Sequence, residues 1–83
     1  MRGFKESSKN KTFKLKGNNL ALYKQAVNLQ KVGELNQAAQ IYNNLIKNKN
    51  LDENVFLNYA SICQHQKNFK DAILLLKQSI KIN

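Results

Sequence analysis

Residues 22–46 read LYKQAVNLQKVGELNQAAQIYNNLI, and residues 56–80 read FLNYASICQHQKNFKDAILLLKQSI. Laid over one another at a shift of 34 residues, without a gap, they match at the positions that matter for packing. Ala26 meets Ala60, Gln30 meets Gln64, Ala38 meets Ala72 and Ile46 meets Ile80, and just beyond them Lys47 meets Lys81. Leu22 over Phe56, Leu35 over Phe69 and Tyr42 over Leu76 are apolar on both sides. Within each copy the apolar residues recur every three or four positions, the period of a helix, and nothing alternates as a half-buried strand does. The chain therefore reads as all-α, with four helices over about 19–32, 35–48, 53–66 and 69–82.

The helix ends carry suitable chemistry. Asn18 or Asn19 is expected to cap the first helix, and Asp52 with Glu53 brings acids to the start of the third, where the helix dipole favours them. Asn68 and Asp71 are spaced as a capping box for the fourth. Lys47, Lys49, Lys77 and Lys81 sit at the C-terminal ends of the second and fourth helices, again the favourable sign. Proline is absent, so glycine and asparagine must make the turns. Gly33 supplies a left-handed turn without strain, and the same register requires either Lys67 or Asn68 to adopt that conformation in the second copy.

A helix–turn–helix unit with a 34-residue period resembles the tetratricopeptide repeat. The resemblance covers residues 19–83, as a first repeat over 19–52 and a second over 53–83 that ends without a capping helix. It implies two antiparallel hairpins stacked as a right-handed α-solenoid. Ala26 with Ala38, and Ala60 with Ala72, would let the paired backbones approach, while Tyr42, Leu45, Phe56 and Tyr59 fill the space between units. The chain departs from the family pattern in several places. Leu22 and Phe56 stand where tryptophan is common, Asn50 stands where proline usually follows the second helix, and Lys67 replaces the turn glycine.

Composition sets the outer limits. The 83 residues make one small domain, with 42% hydrophobic and 23% charged side chains. No apolar run approaches the roughly 18–20 residues that span a bilayer. Residues 1–18 are basic and non-periodic, reading as a flexible tail; residues 1–16 carry a net charge of +5 with no apolar core of a secretory signal. The expected compartment is the cytoplasm. The whole chain carries +9, yet Lys and Asn number 13 each, and both have AT-rich codons, so base composition alone accounts for much of that charge.

The residues offer little to catalysis. His65 lies two positions from Cys63, so the two point in different directions on a helix and do not form a nucleophile pair. The five acids are scattered, three isolated glycines build no phosphate loop, and no metal or cofactor is implied. The chain is expected not to be an enzyme.

The resemblance implies instead a protein-interaction module with a concave, peptide-binding groove along the first helix of each unit. Tyr23, Val27, Gln30 and Lys31 would line it, followed by Leu57, Ser61, Gln64 and His65. The clamp that some family members use for chaperone-tail carboxylates is not expected, because Tyr23 and Val27 stand where its Lys and Asn belong, although Asn58 matches one position. The alternative is a polyanion-binding adaptor for RNA or an anionic membrane, using the tail, with Phe4, Phe13 and Leu15 among its lysines, together with Lys24, Lys31, Lys67 and Lys70. The fourth helix is apolar beyond one stripe. Leu74, Leu75 and Ile82 are expected to form a face for a further repeat in a longer protein, or for a second copy in a homodimer.

Overall fold

The structure is a computed structural model that describes residues 15–82; the basic segment over residues 1–14, with Phe4 and Phe13, lies outside the described residues. Four helices follow one another: α1 (Gly17–Lys31), α2 (Leu35–Lys47), α3 (Glu53–His65) and α4 (Phe69–Ile82), with no strand among the described residues. Helices α1 and α2 pack as one hairpin and α3 and α4 as a second; α2 lies against α3, and α4 packs chiefly against α3. None of these helices is long and apolar enough to cross a membrane.

The four alanines of the shifted alignment are all buried. Ala26 and Ala38 share one core cluster with Tyr23, Tyr42, Leu45, Val55 and Ile62. Ala60 and Ala72 share the other with Phe56, Cys63 and Leu75. A methyl group at each position leaves room for the opposing helix, and the large residues of α2 and α3 fill the volume between the hairpins.

The turns repeat with the same 34-residue step. After α1, the Glu34 amide donates to the Leu29 carbonyl at 2.8 Å and the Gly33 amide to that of Gln30 at 3.2 Å. After α3, Asn68 donates to Cys63 at 2.7 Å and Lys67 to Gln64 at 3.0 Å. Each pair is the left-handed helix stop that satisfies two orphan carbonyls. Gly33 has φ of 89° and Lys67 has φ of 63°, so the lysine holds the conformation the register requires of that turn. The same pair of bonds closes α2, from Asn50 to Leu45 and from Lys49 to Ile46, with Lys49 at φ of 66°. No glycine marks that third stop in the sequence.

Several sequence expectations change. Helix α1 starts at Gly17, and its cap position is Lys16, which makes no side-chain capping bond. Asn19 reaches across to Asn50 instead, donating from Nδ2 to Oδ1 at 2.9 Å. The tail ends earlier than residue 18, because Leu15 is buried in the first core cluster and leads the chain into α1. At α3 the Asp52 carboxylate accepts from the Asn54 amide at 2.8 Å, as expected of a cap. Asn68 and Asp71 do meet, but side chain to side chain, with Asn68 Nδ2 donating to the carboxylate at 2.8 Å.

The largest change is the rotation of α4. Its buried residues are Ala72, Leu75 and Ser79. Of Phe69, Ala72, Ile73, Leu76 and Ile80, which helical spacing marks as its inner stripe, Ala72 alone is buried, and the other four are 56%, 53%, 38% and 73% exposed. Their counterparts in α2 are covered because the second hairpin packs over them; no described helix lies over α4. Leu22, aligned with the buried Phe56, is exposed at the other end for the same reason.

Replacing Lys67 with glycine relieves a left-handed strain of roughly 1–2 kcal/mol at a cost in chain entropy of about 0.5–1 kcal/mol. Lys67→Gly is therefore expected to raise unfolding stability in urea by about 0.5–1 kcal/mol. Lys49→Gly should do the same, and the two gains should add, because the turns are separate. A loss of stability in either variant would contradict the strain at that turn.

Candidate functional site

A polar cluster joins three helices at the centre of the molecule. Tyr42, fully buried on α2, donates its hydroxyl hydrogen to Gln30 Oε1 on α1 at 2.9 Å. Asn58 on α3 donates from Nδ2 to the Tyr42 hydroxyl at 3.3 Å and to that of Tyr23 on α1 at 3.1 Å. The Tyr42 ring packs at a tilt between Tyr23 and Tyr59, with centroids 6.1 and 6.5 Å away. Burial pushes the Tyr42 hydroxyl up to about 12, against a partial lowering by its bond from Asn58; Tyr23 is raised by burial as well. Both protons of the Asn58 amide are spent on tyrosines, which gives this asparagine a structural task.

The expected groove residues divide around this cluster. Tyr23 is buried within it, and Val27 and Gln30 are half-buried. Lys31, Leu57, Ser61, Gln64 and His65 are exposed. Four of the eight come together: Gln30 and Lys31 at the end of α1 and Ser61 and His65 on α3 line a groove of about 320 Å³ with Gly33, Leu35 and Ile62. Tyr23 does not line that groove; its hydroxyl accepts from Asn58 instead. Its inward turn follows from Tyr42 and Asn58, contacts that no local pattern in α1 announces.

Cys63 and His65 do diverge. Cys63 is buried in the second cluster, where burial and then the nearby Asp71 charge push its thiol up. His65 faces the groove.

Two further depressions lie where α4 approaches α2. One of about 470 Å³ is floored by Tyr59 and walled by Asn43 and Ile46 on one side and Asp71, Leu74 and Gln78 on the other. The second, about 340 Å³, lies between Leu51, Phe56, Lys81 and Ile82. Leu74, Leu75 and Ile82 thus do not form one open face. Leu75 is buried against α3, Ile82 is half-buried against the same cluster, and Leu74 alone of the three is exposed, walling the first depression.

No protein-family model, curated protein or solved structure matches this chain.

The tyrosine cluster makes stability depend on alkaline pH. A phenol whose pKa is about 10 unfolded and about 12 folded keeps its proton longer in the native state. Its stabilising contribution is complete below pH 10 and is lost as pH rises through 12, a loss on the order of 2 kcal/mol. Tyr42→Phe should cost about 1–2 kcal/mol at pH 7, because Gln30 and Asn58 each lose a partner. It should also flatten the fall in stability between pH 10 and 12, measured by urea denaturation at each pH. An unchanged slope would remove Tyr42 as its source.

Proposed function

We propose that this chain is a non-catalytic protein-interaction module, a divergent tetratricopeptide-like pair of hairpins forming a short right-handed solenoid in the cytoplasm. The observation that carries the reading is the groove where Lys31 and Gln30 of α1 meet Ser61 and His65 of α3. It supports a ligand that lies across two successive first helices and presents an acidic group to Lys31. The amide and hydroxyl groups there suit the backbone of an extended peptide, which carries donors and acceptors along its length. The helix stops recurring at a 34-residue step support the repeat reading. Cys63, buried and with its thiol raised, is a poor nucleophile, which supports a role without covalent chemistry.

The exposure of Lys24, Lys31, Lys67 and Lys70 favours a second reading, binding to a polyanion such as RNA. Salt and shape separate the two. A random array of extended peptides should yield binders enriched in Asp or Glu, and both Lys31→Glu and Ser61→Arg should abolish binding. Lys77→Glu, outside the groove, should leave it intact. An array without binders, or binders indifferent to Ser61→Arg, would refute the groove. Binding of polyuridylate that falls steeply with salt and ignores Ser61→Arg would favour the polyanion.

A further inference from the structure

Phe69, Ile73, Leu76 and Ile80 on α4 follow a 4-3-4 spacing, so they fall within about 60° of one another around the helix axis. All four are exposed. The line through them points roughly 100° away from the buried Ala72, Leu75 and Ser79, and away from the depression shared with α2. Lys70 and Lys77 run along one edge of the seam, with Lys81 just beyond them. Asp71, the one acid of α4, lies on the opposite side of the helix, where it accepts from Asn68. The seam is therefore apolar, narrow and bordered by positive charge alone.

From this juxtaposition we infer that α4 is a docking surface for an amphipathic helix of a partner protein, one with a matching apolar seam flanked by acidic residues. A seam two residues wide fits a single helix through knobs-into-holes packing, whereas a helix lying in a membrane surface buries a broader apolar face. The flanking charge selects the sign of the partner. In an antiparallel pairing of two copies, Lys70 of one chain meets Lys77 of the other, and each copy already carries +9. Glutamates at the flanking positions of a partner helix turn that repulsion into attraction. The surface is separate from the groove between α1 and α3, so neither proposal depends on the other.

Two synthetic three-heptad peptides test this, identical in their Leu/Ile seam, one with Glu and one with Lys at the flanking positions. Fluorescence anisotropy with the full chain should show micromolar binding of the Glu peptide and none of the Lys peptide. Ile73→Ser with Ile80→Ser, exposed positions whose replacement leaves the helical circular dichroism unchanged, should weaken binding at least about tenfold. Lys70→Glu with Lys77→Glu should invert the preference to the Lys peptide. Failure of both peptides, or equal binding of both, overturns the proposal. So does binding to phosphatidylserine vesicles that the two serine substitutions abolish, or a dimer at micromolar concentration that they dissociate.

Discussion

Tyr42 is the joint on which the two hairpins depend. The alanine pairs let the two helices of each hairpin approach, but a single hairpin has too little apolar surface to stand alone. The second constraint is met by one buried ring with a hydroxyl at its tip. The ring fills the space between Tyr23 and Tyr59, and the hydroxyl accepts from Asn58 while donating to Gln30. A phenylalanine would supply the volume and leave two amides short of partners. An asparagine at position 58 is thereby fixed by the tyrosines on the neighbouring helices.

That joint also shapes the exposed surface. Tyr23 turns inward to Asn58, while Lys31, Ser61 and His65 meet at the groove near the C-terminal ends of α1 and α3. Because α3 carries the contacts to both hairpins, α4 is held from one side only. The groove and the open seam are two consequences of a stack that is tied together at its middle.

Much of this was legible in the chain, and the limits are physical. Helix ends came within about two residues because stops and starts are local: Gly33, Asp52 and the 34-residue step sufficed. The left-handed Lys67 was legible because its turn had a glycine-bearing copy to match. Lys49 was not, having neither a glycine nor a copy among the described residues. Leu15 was hidden in a basic, non-periodic stretch, and only the first core cluster shows it buried. The rotation of α4 was misread because apolar residues occur on most of its circumference, and alignment with α2 selected the stripe that a following layer covers. Whether such a layer exists is not a local property. Of the eight residues expected to line a groove, Gln30, Lys31, Ser61 and His65 come together around one depression, whereas the alignment gave no sign that Tyr42 and Asn58 hold Tyr23 in the interior.

Native-state hydrogen exchange read amide by amide tests the joint most directly. If Tyr42 ties α1, α2 and α3 into one cooperative unit, their most protected amides open with a common free energy and share one denaturant dependence. Amides of α4, held chiefly by α3, then open at lower free energy. Two separate opening energies, one for α1 with α2 and another for α3 with α4, would contradict a joint at Tyr42 and leave the molecule as two hairpins that merely touch.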